Sequence, residues 1–191
     1  FPVEELEQFV AFLEGLSRRS YDMAVEVLVL GKKVFPLLGE DKGVLIAFAS
    51  AMADTSWRSV KGLFGAASRP LPNIRPEQRM RFLELARGLH RAEYQNVPAA
   101  MVDMADALGR VEVEHHSALL SMAESMLAAS PTAAPEFIKS SPDALERVTL
   151  GQLESWHREG MGILADNGDG GLAYFRTESA RSLRVLESLS S

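Results

Sequence analysis

Two Glu-x-x-His spacings place metal-binding side chains in helical register: Glu112-Val113-Glu114-His115 and Glu154-Ser155-Trp156-His157. On a helix, positions i and i+3 share a face, and di-iron carboxylate bundles hold their metal with such pairs on facing helices. Asp166-Asn167-Gly168-Asp169-Gly170-Gly171 is a second candidate, with the oxygen-rich look of a calcium loop. An EF-type loop needs oxygen ligands at positions 1, 3 and 5 and a glutamate at 12. Counted from Asp166, positions 3 and 5 are both glycine, so the segment reads as a polar turn ending in an N-cap. The third candidate is basic. Arg110, Arg147 and Arg184 recur at one spacing, Asn73 completes their column, and Arg176, Glu178 and Arg181 lie near its last member. A row of cations on an acidic chain would steer an acidic protein partner with a salt-dependent on-rate. The same arginines would also suit helix C-termini, where the dipole favours a cation and a local acid can pair with it.

Several chemistries are excluded outright. With no cysteine there is no disulfide, thiol nucleophile or zinc–thiolate site. No Ser/His/Asp arrangement and no glycine-rich phosphate loop is present, and the sequence calls for no cofactor. A net charge of −6 argues against general nucleic-acid binding, because neutralising phosphates requires clustered Lys and Arg. No run of roughly 18 apolar residues occurs, so no membrane span is expected. Nor does a basic segment precede an apolar one as in a signal peptide, and the expected location is the cytoplasm.

The elements that would hold these residues are set by a repeat. Five apolar columns recur every 37 positions: Phe64, Met101, Ile138, Phe175; Ile74, Val111, Val148, Val185; Leu45, Phe82, Leu119, Trp156; Ala49, Ala86, Ala123, Gly160; and Met52, Leu89, Met126, Ile163. A shift of 36 adds an earlier copy, with Phe9, Phe12, Leu13, Leu16, Tyr21, Ala24, Leu28 and Leu38 under Leu45, Phe48, Ala49, Met52, Trp57, Val60, Phe64 and Ile74. A period of this size marks a repeat protein, whose units bury their apolar faces against their neighbours. The fold expected is therefore all-α: an α-solenoid of about five units, each with two helices and a short third one, forming a single domain over residues 1–191. The chain opens on Phe1-Pro2 and is read as a piece of a longer polypeptide.

Spacing predicts helices over 4–18, 21–35, 41–53, 56–66, 76–91, 97–108, 111–129, 131–139, 142–148, 150–165, 169–176 and 178–189. Ser20, Ser56, Ser130 and Asn167 are the expected N-caps of the second helices, with Glu93 the exception at that position. Ser141-Pro142-Asp143 is the clearest start of a third helix, and the prolines of Ser68-Arg69-Pro70-Leu71-Pro72-Asn73 forbid a long helix there. The repeat frame also weighs against a di-iron site. His157 falls five positions later in its unit than His115, an offset of roughly 7.5 Å along a helix axis. It shares a column with Ile46, Leu83 and Leu120, which points to a half-buried structural histidine. Two functions follow: a non-catalytic interaction scaffold, or a metal-dependent, di-iron-like enzyme built on Glu112, His115, Glu154 and His157.

The last unit carries a resemblance. Trp156-His157-Arg158-Glu159-Gly160, then Gly171-Leu172-Ala173-Tyr174-Phe175-Arg176-Thr177-Glu178-Ser179, then Leu186-Glu187-Ser188-Leu189-Ser190-Ser191 is similar to a helical segment of large bacterial proteins that carry a C-terminal von Willebrand factor A domain of the CoxE-like, NorD-type kind. Met126 to Pro131 and Glu136 to Pro142 resemble the preceding repeats of those proteins. The resemblance covers residues 45–191 and is most specific at the end. It implies a helical arm whose A domain lies outside this sequence, working with a MoxR-type AAA+ ATPase in metalloenzyme maturation. A tetratricopeptide reading fits less well, since that repeat is about 34 residues long.

Overall fold

The structure, a computed structural model, describes residues 3–166. Among them every regular element is helical: α1 (Val3–Ser17), α2 (Tyr21–Leu38), α3 (Lys42–Ser56), α4 (Val60–Ser68), α5 (Pro76–Arg91), α6 (Val97–Leu108), α7 (His116–Ala129), α8 (Ala134–Leu145) and α9 (Leu150–Asp166). Single 3₁₀ turns occur at Trp57–Ser59, Leu71–Asn73 and Val113–His115. No helix among the described residues is long and apolar enough to cross a membrane.

The helices pack in two rows. One row runs α1, α3, α5, α7, α9 and the other α2, α4, α6, α8, with α1–α2, α3–α4, α5–α6 and α7–α8 pairing between rows. This order is compatible with a solenoid of helical hairpins. One apolar core continues from Phe9 to Trp156. The repeat columns account for it: Leu45, Phe82, Leu119 and Trp156 are all buried, as are Phe64, Met101 and Ile138, and Ala49, Ala86, Ala123 and Gly160. Val111 and Ile163 are half-buried, while Phe175 and Val185 lie outside the described residues.

The earlier copy departs from its frame. Phe9, Phe12, Leu16, Ala24 and Leu38 are buried as expected, but Tyr21 is 73% and Leu28 40% exposed. The counterparts of Leu28 in later units are covered by the preceding hairpin: Phe64 meets the rings of Phe9 and Phe35, at 6.4 and 6.0 Å. The first unit has no hairpin before it among the described residues.

Helix boundaries agree with the spacing at α5 and α6 and differ elsewhere. The expected third helix is reduced to the 3₁₀ turn at Leu71–Asn73 in one unit. In the fourth unit it fuses with the second, so that 131–139 and 142–148 become the single helix α8, with Pro142 inside it. Pro142 has no N–H for the carbonyl four residues back. That carbonyl is Ile138 O; just before it, the Ser140 and Ser141 hydroxyls donate to Glu136 O at 2.9 Å and Phe137 O at 2.7 Å. Ser20 caps α2 through Met23 N–H at 3.3 Å. Ser56 does not cap, because it closes α3 and is followed by a 3₁₀ turn, and Ser130 caps a turn that precedes α8 by a few residues. Asn167 and the helices expected over 169–176 and 178–189 lie outside the described residues.

At Glu93 the exception has a backbone cause. Its φ is +61°, the left-handed region, and it is the one non-glycine with positive φ among the described residues. Tyr94 N–H bonds to Leu89 O and Glu93 N–H to His90 O, each at 3.0 Å, which closes α5 with the bonding of a Schellman cap. Glycine takes this conformation without a Cβ penalty. Glu93→Gly is expected to raise stability by about 0.5–1 kcal/mol, read from denaturant midpoints. Phe137, with no exposed surface, sits against the rings of Trp156 and His157 at 5.8 and 5.3 Å. Phe137→Ala is expected to cost about 3–5 kcal/mol, whereas exposed Arg147→Ala costs under about 1 kcal/mol; equal losses would make the arginine a buried structural member.

Candidate functional site

Arg110 leaves the C-terminus of α6, and its guanidinium reaches the following unit, where Nη1 lies 2.5 Å from Glu146 Oε1. An analogous bridge links Arg75 to Glu114 at 2.6 Å, again from one unit to the next. The column of Arg110 thus begins as a bridge to an acid of the next unit. Arg147 is exposed and has no ion pair within the described residues. Arg176, Glu178, Arg181 and Arg184 lie outside the described residues.

Beside Arg110 is an open cleft of about 680 Å³, lined among others by Arg69, Asn73, Asp106, Arg110, Val113 and His116. It lies where the ends of α4 and α6 meet the turn before α7. His116 is 3% exposed; its Nε2–H donates to Leu108 O at 3.0 Å, while buried Nδ1 has no partner. This imidazole ties the start of α7 to the end of α6. The Glu-x-x-His spacing singles out its neighbour His115, which is exposed in the 3₁₀ turn, and gives no weight to His116.

The two Glu-x-x-His motifs do not converge. Glu112 is exposed before the turn, Glu154 is half-buried on α9, and no three His, Asp or Glu side chains among the described residues group as metal ligands. His157 instead bridges helices. Its Nε2 lies 3.1 Å from Met122 O and 3.1 Å from Ser125 Oγ, both on α7. A carbonyl only accepts, so Nε2 carries the proton. Ser125 Oγ donates to the same carbonyl at 2.9 Å. The expected structural histidine is what the geometry shows.

Two arginines absent from the candidate set do more than the expected column. Arg79 on α5 donates through Nε to Leu71 O and Ile74 O, at 2.9 and 3.1 Å, and through Nη1 to Leu37 O at 2.6 Å. One side chain thereby satisfies carbonyls of the 70–74 turn and of the end of α2, groups a helix terminus otherwise leaves open. Arg81 grips α7: two bonds to the Glu124 carboxylate, at 2.9 and 2.6 Å, with Ser117 Oγ and Ser121 Oγ at 2.8 Å each. The Glu124 bond raises the Arg81 pKa against the cost of burial, fixing a charge that was already present. Apart from the i, i+4 spacing of Ser117 and Ser121, the sequence carries no signal for this grip.

No protein-family model matches the chain, no curated protein matches it, and no solved structure does. The titration of His157 offers a direct test of its place. Burial holds its pKa below 6.5, partly opposed by the Met122 bond, with Arg158 pushing it further down. The folded chain therefore binds fewer protons here than the unfolded one. The stabilisation is complete above the unfolded value of about 6.5 and is lost as pH falls through the lower folded value. Wild-type denaturant midpoints should decline between about pH 7 and pH 5, and His157→Gln should flatten that part of the decline.

Proposed function

We propose that this chain is a non-catalytic helical scaffold for protein–protein interaction. The supporting observation is the two-row packing, in which α1–α3–α5–α7–α9 and α2–α4–α6–α8 each run unbroken through the described residues. Equivalent positions of successive units then fall along lines on the surface, and a partner can be read by several units at once. The cleft beside Arg110 is open and lined by mixed charges, unlike the concave apolar pocket of a small-molecule enzyme.

The partner it fits is an acidic protein surface, met by Arg147 and the cationic part of the last unit: Arg184, Arg176 and Arg181 with Glu178. Arg110 lies on the same line, already bridged to Glu146. The resemblance of the last unit extends this reading to the arm of a larger von Willebrand factor A domain protein that acts with a MoxR-type AAA+ ATPase in metalloenzyme maturation, in the cytoplasm and without nucleic acid.

Arg147→Glu with Arg184→Glu should leave the helical circular dichroism unchanged and weaken binding to a MoxR-type ATPase of the same cell, more strongly at low salt. Equal affinity of the double variant would reduce the arginines to helix-end electrostatics. Near-stoichiometric iron or manganese in the purified chain, lost on His115→Ala, would overturn the scaffold in favour of the metal enzyme.

A further inference from the structure

Of the eight large hydrophobic residues most exposed among the described residues, seven lie on the first hairpin: Val3, Leu6 and Val10 on α1, and Tyr21, Val25, Leu28 and Val29 on α2. Their repeat register says what kind of surface they form. Val10 occupies the column of Ile46, Leu83 and Leu120, and Leu28 that of Phe64, Met101 and Ile138; all six are at most 2% exposed, while Val10 and Leu28 are 45% and 40% exposed. In later units both columns face the preceding hairpin. Phe64 meets Phe9 and Phe35, and His157, next in the column of Val10, bonds to α7. The outer face of α1–α2 therefore continues the established inter-unit interface, with no hairpin upon it among the described residues.

The charges at its edge single out an occupant. Residues 18–20 connect α1 to α2, so the two run antiparallel as a helical hairpin. Glu4 and Glu7 at the start of α1 thus come to the same end as Lys32 and Lys33 near the end of α2. All four are exposed, and none has an ion pair within the described residues. Glu7 shares the stripe of Val3 and Val10, and Lys32 that of Tyr21, Val25 and Leu28. A two-fold axis parallel to the helices would lay α1 on α2 of a second copy. Val10 would then cover Leu28 of the partner subunit, Leu6 would lie against the stem of Lys32 of the partner subunit, and Glu4 and Glu7 would meet Lys32 and Lys33 of the partner subunit. The seven side chains leave roughly 600 Å² of apolar surface in water, large for one patch on a monomer. With the stems of the flanking charges this approaches the ~800 Å² per partner of a standard interface. We propose that the outer face of α1–α2 is an isologous homodimer interface, closed by the same face of a second copy of this chain.

The test is the mass of the 191-residue chain in solution. Sedimentation equilibrium at about 50 µM and low salt should give twice 20.9 kDa. Val10→Glu with Leu28→Glu, both at exposed positions, should keep the helical circular dichroism and weaken dimerisation at least about a hundredfold, since the new charges would be buried unpaired. Glu7→Lys alone should weaken it about tenfold, and Lys32→Glu added to it should restore the wild-type value. A wild-type monomer under these conditions would overturn the proposal, leaving the face to residues 167–191 or to another protein. A dimer that survives Val10→Glu with Leu28→Glu would overturn it by placing the contact elsewhere, and failure of the charge swap to restore affinity would overturn the two-fold arrangement.

Discussion

No hairpin among the described residues can bury its apolar side chains by itself, and that constraint governs the rest of the structure. Each helix carries an apolar stripe wider than its hairpin partner can cover, so the remainder must be sealed by the next unit along. Phe64, Met101 and Ile138 are buried because α4, α6 and α8 each lie against the helix before them in the same row. Stability in such an array is close to a sum of unit and neighbour terms, which favours the same residue class at the same position in every unit. A recurrence of 37 residues is that requirement written along the chain.

Apolar packing alone would allow neighbouring units to slide, and polar ties across the same boundaries fix their register. Arg79 joins the third unit to the end of α2 and the 70–74 turn, Arg81 clamps α5 to α7, and His157 pins α9 to Met122. These ties differ in kind. Arg110–Glu146 and Arg75–Glu114 are largely exposed ion pairs of small net worth, whereas Arg79 serves carbonyls that a helix terminus or turn leaves open, and His157 adds an inter-helix bond to Met122 O, which Ser125 also bonds. The buried and half-buried polar groups therefore hold the register, while the exposed arginines are the part of the surface most open to change.

This division bears on function. Among the described residues, His116 and His157 each bond a backbone carbonyl of another helix. What remains free is surface: the line through Arg147, the cleft beside Arg110, and the uncovered face of the first hairpin. Their chemistries differ, cationic along the line, mixed in the cleft and apolar with balanced charges on the face of the first hairpin.

The sequence by itself determined the helical class, the columns and most helix positions, because burial against a neighbour recurs at a fixed interval and leaves its periodicity in the residues. It also marked His157 as structural, since an imidazole in the column of Ile46, Leu83 and Leu120 is constrained to face the preceding helix. Only the tertiary structure decided what depends on contacts between distant segments or on one dihedral angle. Arg79 and Arg81 occur among other exposed-looking charges on α5, and nothing local shows that carbonyls 8 and 42 positions away, or a carboxylate 43 away, will meet them. Ser141-Pro142 reads as a helix start, yet the packing of α8 on α6 carries the helix through it, with serine hydroxyls taking carbonyls near the missing N–H. Leu28 carries the residue type of a buried column, but burial needs a neighbour, and periodicity records the side chain without recording whether anything lies against it.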